Sequence, residues 1–485
     1  MRRVISAVVV AALCAACGST VQVRGQAALG AADGLDGLSS TGGALAPGST
    51  PAPLSSSSRA AVTATTAPGS VPTTGASVTL DQGAATSGGV SRALSPVTLG
   101  FQWMDTSSGT GGIDPQNKLN LGDQVAQAKV MVAYLNAHGG IAGHQVRLVT
   151  HAINYLNTFS NASQEYESTC AAFTQDAHVQ VAALYTNDPE LVTCLSRKGV
   201  VSDSDVYVVP KALYEQQRYF SPAQMSYERG HGGMIEGLAA RGFFKGGKVG
   251  IFYDTKPDYA PVLAAVKQDL ARQGIPVAAQ FGSALSSAAS GASDASSAVL
   301  QFRAAGVTHV MFIDLGGGLS YLFMSAAQAQ AYTPKYALSS ANNLAALQQL
   351  GQPQQLANAA ALGWMPGEAT SEQAQGARGR GPTGKLCYRI MIKGGVDMTN
   401  ASAAGTAILV CDMILAAAAA GEAGHGVTPD SFLAGVGSLG ASYQSPLTFS
   451  TRFGPTRHDG ASATRFLKWG SSCSCWVVDG AGPTL

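Results

Sequence analysis

Six cysteines carry the clearest chemical spacing in the chain: Cys170, Cys194, Cys387, Cys411, Cys473 and Cys475. An even set in an exported chain is read as disulfides. Six cysteines allow 15 connectivities, among which sequence alone does not choose. Local proximity favours Cys170–Cys194, Cys387–Cys411 and Cys473–Cys475. Closing a loop the size of the first two contributes about 3 kcal/mol in the chain-entropy description. The rival for Cys473-Ser474-Cys475 is a metal site, but no His or further Cys lies near it in sequence.

Other chemistry is not found. There is no G-x-S-x-G elbow and no H-E-x-x-H, and no two of the eight His stand at metal-ligand spacing. Gly379-Arg380-Gly381-Pro382-Thr383-Gly384-Lys385-Leu386 nearly matches a phosphate loop. Leu386 stands where Ser or Thr would hold Mg²⁺, and no apolar strand precedes it, so it is read as a flexible surface loop. Asn161-Ala162-Ser163 and Asn400-Ala401-Ser402 are glycosylation sequons without expected consequence. No catalytic residue, metal or cofactor is expected.

The elements that must position any site follow from composition and periodicity. The 485 residues are 46% hydrophobic and only 12% charged, with Lys+Arg 30 against Asp+Glu 29. A net charge of +1 leaves no basic excess for phosphates, so nucleic acid is excluded as a partner. The first aromatic residue is Phe101, so the core begins only after a long N-terminal stretch. There, Arg2 and Arg3 precede an apolar run from Val4 to Leu13, too short to span a bilayer. Residues 1–16 are read as a signal peptide. Residues 17–95, rich in Ser, Thr, Pro, Gly and Ala, are read as a disordered tether. As a flexible coil it reaches about 50 Å.

From Pro96 strands and helices alternate: strands at 97–103, 146–150, 179–185 and 199–202, with helices at 122–137, 160–175 and 189–197. The pattern restarts with a helix at 225–241 and a strand at 248–253, then a helix capped by Asp258. Strands follow at 277–281, 309–314, 335–338 and 360–365, with helices at 294–305 and 318–331. This predicts α/β architecture with parallel sheets. Helices at 383–393, 402–420 and 428–437 and strand-like pieces at 447–453 and 463–478 close the chain. The helix over 402–420 is apolar enough for a membrane, but Asp412 at its middle favours a core helix tied by Cys411. Open α/β sheets bind ligands beyond the carboxyl ends of their strands. Those ends are Trp103 to Thr106, Tyr185 to Asn187, Asp203 to Asp205, Asp254 to Tyr259, Asp314 to Gly316 and Ser339 to Asn343.

Two segments resemble known families. Cys14-Ala15-Ala16-Cys17-Gly18 resembles the lipobox of bacterial lipoproteins, with Leu13 four residues before Cys17. That implies a lipidated Cys17 and anchoring at the outer face of the cell membrane. The alternative is a plain signal peptide that frees the protein. Asn136-Ala137-His138-Gly139-Gly140-Ile141-Ala142-Gly143-His144-Gln145-Val146-Arg147-Leu148-Val149 resembles a turn of the type I periplasmic binding proteins. The nearest branch is the leucine/isoleucine/valine-binding group. Leu99-Gly100-Phe101, Tyr253-Asp254 with Asp258-Tyr259, and Arg457-His458-Asp459-Gly460 agree with it, and Cys170 and Cys194 are placed like its lobe-one disulfide.

The resemblance implies two Rossmann-like lobes joined by crossover hinge strands near Phe220, Pro366 and Ser445. Lobe one is expected over 96–219 and 367–445, lobe two over 220–366 and 446–485. It implies an extracytoplasmic, monomeric solute-binding lipoprotein that closes over a small polar ligand, such as an amino acid or amide, and docks on an ABC permease. The expected ligand-binding residues are Trp103, Asp105, Tyr185, Thr186, Asp203, Ser204, Tyr259, Asp314, Ser340 and Asn342. Asp203 and Asp205 suit a cationic or hydroxylated ligand better than a carboxylate. The family's amino-acid binders carry a Glu after the strand matching 335–338, where this chain reads Ser339-Ser340-Ala341-Asn342-Asn343. A ligand sensor or cell-envelope interaction module on the same fold is the second reading.

Overall fold

A computed structural model of the chain describes residues 94–107, 120–154, 157–314, 316–369 and 381–485. The signal peptide, Cys17 and all but the last two tether residues lie outside these, as do Gly379 and Arg380.

Strand β1 (Val97–Asp105) is buried along most of its length, as its apolar run requires. Helix α1 (Gln124–Ala137) starts at Asp123, whose carboxylate accepts the Ala126 N–H at 2.9 Å. The helix stops where Gly139 and Gly140 take φ of +103° and +82°. A Cβ on Gly140 would lie 1.9 Å from the His144 carbonyl oxygen, so the tight Ile141–His144 turn requires glycine there. Asn136 then pairs with both backbone groups of Val146, at 2.7 and 2.9 Å, and launches β2 (Val146–Asn154). The N-A-x-G-G-I segment is thus a helix stop, a turn and a strand clamp in one.

Helix α2 (Ala162–Ala171), β3 (Val181–Ala183), α3 (Pro189–Arg197), β4 (Val201–Asp203), α4 (Lys211–Gln216) and β5 (Tyr219–Phe220) follow. The first sheet is wholly parallel, in the order β2-β1-β3-β4-β5. The chain then passes to a second sheet through α5 (Tyr227–Ala240), β6 (Val249–Asp254), α6 (Ala260–Arg272) and β7 (Val277–Ser283). It continues with α7 (Ala288–Ala304), β8 (His309–Ile313), α8 (Gly318–Ala329), β9 (Lys335–Ser339), α9 (Leu344–Leu350) and β10 (Ala359–Gly363). It returns to cover the first sheet with α10 (Gly381–Lys393), α11 (Ala401–Ala423) and α12 (Pro429–Leu439). Antiparallel β11 (Ala463–Gly470) and β12 (Cys475–Thr484) complete the second sheet, ordered β12-β11-β10-β9-β8-β6-β7. These are two mixed α/β lobes with the chain crossing between them.

Three expectations change. Residues 447–453 form turns and one isolated bridge at Thr451, not a strand, because their polar groups bond locally: Thr448 with Thr451, and Thr451 with Ser445. Asp258 does not cap a helix; it lies inside a 3-10 turn, Pro257–Tyr259, that leads into α6. Gly381 to Leu386 are not a loop but the first turns of α10.

The long apolar helix is a core element. Its 18-residue window has mean hydropathy 1.9 and is 78% buried. Asp412 at its middle is fully buried and accepts hydrogen bonds from the hydroxyls of Tyr443 and Ser445, the compensation a buried carboxyl needs. Cys411 joins Cys387 of α10, and Cys170–Cys194 and Cys473–Cys475 are also closed. Asn400 of the second sequon caps this helix, accepting the Ser402 and Ala403 amides at 3.0 Å, while Asn161 stands at the N-terminus of α2.

Candidate functional site

The carboxyl ends of the parallel strands of both sheets meet between the lobes. Lys256, just beyond β6, places its ammonium 2.8 Å from Asp188 at the start of α3. Tyr207, after β4, packs on Gly316, after β8: a Cβ on that glycine would lie 2.7 Å from the tyrosine ring. Val208 enters the apolar cluster of the second lobe with Tyr227 and Tyr259. The lobes are in contact in this conformation.

The ten expected site residues fall into three groups. Trp103 and Asp105 line a cavity of about 470 Å³ at the end of β1, with Asn120, Leu121 and Gln124 on its other wall. Tyr185 packs nearby against Met104, Leu121 and Ile153. The Thr186 amide donates to Gln102 Oε1 at 2.9 Å, which fixes the loop after β3.

The second group is Asp203 and Ser204, to which the structure adds Asp205 and Asp412. Among the described residues neither Asp203 carboxylate oxygen has a hydrogen-bond partner, and the side chain is fully buried. Burial first, then the charges of Asp205 and Asp412, pushes its carboxyl well above the usual carboxylate range. Asp205 accepts from Ser221 Oγ at 2.9 Å and the Ala223 amide at 2.7 Å, and its backbone carbonyl accepts from Gln224 Nε2. It therefore grips the segment by which the chain first leaves lobe one. Asp412 grips Tyr443 and Ser445, near the last crossing. Asp205 and Asp412 face one another, and burial above all raises both carboxyls. Ser204 is committed locally: its Oγ accepts the Val206 amide and its carbonyl accepts from Tyr219.

The third group stands on lobe two. Asp314 Oδ2 accepts the Leu319 amide at 2.7 Å, while Oδ1 has no partner among the described residues. Burial, above all, pushes this carboxyl up to about 7. Asn342 bonds Ser339 through Oδ1 and holds its amide nitrogen beside Asp314 without closing a hydrogen bond. The Tyr259 and Tyr227 rings meet edge to face at 5.5 Å; both hydroxyls are buried, that of Tyr259 without a hydrogen-bond partner among the described residues and that of Tyr227 beside the Asp314 backbone. Ser340 is used up: it donates to Glu368 Oε2 at 2.6 Å and accepts the Trp364 amide at 2.9 Å.

Leaving a buried polar atom unpaired costs about 1–3 kcal/mol, and native folds leave few. Those at the strand ends, on Asp203, Asp205, Asp314, Tyr227, Tyr259 and Asn342, mark a surface shaped by something other than folding economy.

Sequence reasoning missed Asp188, Tyr207, Tyr227, Lys256 and Glu368 as named site residues. Lys256 was legible as part of a strand-end segment. Tyr227 had no signal, since it falls inside the helix expected over 225–241 rather than in one of the strand-end segments. Glu368 is fully buried beside Ser340, and burial pushes its carboxyl up to about 8, so it stays protonated at neutral pH. An acid does reach the end of β9, but from the segment after β10 and already bonded.

No family model matches the sequence, and no curated protein does. Solved structures do match in fold. A solute-binding protein of an ABC transporter from R. palustris, in complex with 4-hydroxybenzoate, aligns over 80% of this chain and 97% of its own, at 14% identity and TM-score 0.58. A fatty acid ABC transporter substrate-binding protein from Thermomonospora curvata aligns over 81% and 93%, at 15% identity and TM-score 0.54. An ABC transporter substrate-binding protein from Desulfitobacterium hafniense, in complex with Leu, aligns over 79% and 99%, at 15% identity and TM-score 0.51. The chain therefore has the type I periplasmic binding fold, the fold of these ABC-transporter solute-binding proteins.

Proposed function

We propose that the protein is an extracytoplasmic solute-binding receptor of an ABC transporter that takes a small polar ligand, of the amino-acid or amide kind, between its lobes. The observation that carries this reading is the concentration of unpaired buried polar atoms where the strand ends of the two sheets meet. A ligand bound there supplies the missing partners. It thereby favours the closed arrangement over the open one, by the difference in its affinity for the two. Trp103, Asp105, Tyr185, Thr186, Asp203, Tyr259, Asp314 and Asn342 form the ligand surface in this reading, Ser204 and Ser340 support it through the bonds they already make within the fold, and no covalent chemistry is involved. The crossings near Phe220, Pro366 and Ser445 serve as the hinge. Lobe one takes 96–219 and 367–445, and lobe two 220–366 and 446–485. Cys17 carries the lipid, residues 17–95 the tether, and the closed monomer docks on a membrane permease.

The test is a thermal-shift screen of the disulfide-intact protein against amino acids, amides, polyols, aromatic acids and short peptides. A ligand at 100 times its dissociation constant adds about 2.7 kcal/mol. A shift abolished by Tyr259→Ala supports the receptor. Silence across the library favours an interaction module, a reading to which the close contact of the lobes also lends itself.

A further inference from the structure

We propose that the protein carries a second binding site, apart from the strand-end cleft, that takes a short peptide with free termini, its carboxylate on Arg457 and its ammonium on Glu236. The site goes beyond the receptor reading and does not depend on what the cleft binds.

A cavity is the first observation. About 610 Å³ lies open between α4, α5, α6 and the turn at 456–459. None of its lining residues belongs to the strand-end segments. Gly232 and Ala265 keep it open, and a Cβ on Gly232 would already lie 3.0 Å from Asp269 Oδ2. Its walls meet where the chain first crosses between the sheets. The Lys211 amide at the start of α4 donates to Glu228 Oε2 at 2.8 Å, and the Ser221 amide donates to the His458 carbonyl at 2.9 Å.

Charge is the second. Lys211 pairs with Glu215, Arg229 with Asp459 and Arg272 with Asp269. Of the charged residues lining the cavity, this leaves Arg457, Glu228 and Glu236 without an ion-pair partner among the described residues. Arg457 is half-buried, and its guanidinium donates to backbone carbonyls, Ala461 at 3.0 Å and Asp459 at 3.5 Å. Burial first, then the Arg229 charge, pulls its pKa down to about 10, the mark of a cation drawn from water without a counter-ion. A carboxylate is the fitting counter-ion for a guanidinium fork. Glu228 is already bonded to α4, and burial raises its carboxyl, so exposed Glu236 is the free anion. A purely anionic ligand would leave Glu236 unanswered, and a purely cationic one Arg457.

Spacing is the third. Glu228, Gly232 and Glu236 recur every fourth residue on one face of α5. Eight residues of helix span about 12 Å. Arg229 fastens Asp459, and with it the turn that bears Arg457, to the first turn of α5. The free cation therefore stands at one end of this face and the free acid two turns along it. An extended chain covers about 3.3–3.6 Å per residue, so three residues fit the span. A single amino acid, with both charges on one carbon, reaches one end only. Gln268 and Gln273 line the same cavity and offer donors and acceptors to a peptide backbone.

The experiment titrates the disulfide-intact full chain by calorimetry at pH 7 with trialanine, N-acetyl-trialanine, trialanine amide and alanine. The expected result is trialanine binding that weakens at least tenfold when either terminus is blocked, and no binding of alanine at this site. Arg457→Gln, which keeps a donor for the Ala461 carbonyl, should weaken trialanine at least tenfold. Glu236→Gln, an exposed change that spares the packing, should weaken it severalfold and leave the acetylated peptide unaffected. Trialanine binding indifferent to both variants puts the peptide in the cleft instead; it overturns this site and leaves the receptor standing. Equal affinity for free and blocked termini overturns the site as well. So does silence from trialanine, whatever the cleft is found to bind.

Discussion

Glu368→Gln should stabilise the protein at neutral pH and leave it nearly unchanged in acid. Glu368 is buried where the chain leaves β10, and it accepts the Ser340 hydroxyl at 2.6 Å. Burial raises its carboxyl from an ordinary 4.5 to about 8. The folded state therefore holds a proton that the unfolded chain releases. Its contribution to stability is complete below pH 4.5 and is lost as pH rises through 8. Each pH unit between those values is worth about 1.4 kcal/mol, so the loss is about 3 kcal/mol by pH 7 and approaches 5 kcal/mol beyond pH 8. Gln keeps an acceptor for Ser340 and cannot ionise. Its additional N–H adds a constant offset, not a slope. Urea unfolding of both proteins at pH 5, 7 and 8.5, with disulfides intact, reads the difference directly. A gap that stays flat with pH refutes the reasoning, because only the buried proton makes it grow.

Cys387→Ser with Cys411→Ser should lower stability by about 3 kcal/mol through the freed loop, seen as a melting temperature lower by several degrees. An unchanged melt would mean the helix packing alone holds α10 to α11. Gly140→Ala should cost more than about 2 kcal/mol by denaturant unfolding, since its Cβ would strike the His144 carbonyl. Gly139→Ala, with φ +103° but open space around it, should cost nearer 1 kcal/mol; equal losses would sink the steric account. Lys256→Ala should weaken the lobe contact by about 1 kcal/mol, a partly exposed pair being screened by water. Spin labels on the two lobes would show a broader distance distribution, and an unaltered one would deny the pair a role in closure.

How far the sequence reaches depends on the range over which each feature is decided. The Asn136 to Val149 segment states its own structure, because its helix stop, turn and strand clamp close within fourteen residues. The alternation of apolar strands and helices predicts the parallel strands of both sheets, since period and turn residues are local properties. Buried Asp412 rightly turns an apolar helix into a core element rather than a membrane span. Two of the three disulfides join cysteines about 24 residues apart, and local proximity finds them. Strand ends are equally legible, so Asp203, Tyr259, Asp314 and Asn342 are named correctly as strand-end groups.

Tertiary structure decides what those groups do. Ser340 looks available in sequence, yet Glu368 and Trp364 consume its hydroxyl from beyond the next strand. Asp205 and Asp412 lie 207 residues apart, yet the Asp412 charge adds to burial in raising the Asp205 carboxyl. Tyr227 joins Tyr259 and Asp314 because α5 packs across β8. No local pattern encodes these meetings. They arise from which faces two sheets and their covering helices bury against each other, and that is settled by packing over the whole chain. Composition and period choose the elements; the low-dielectric contact between distant carboxyls and hydroxyls, which gives the site its chemistry, exists only once the lobes have folded.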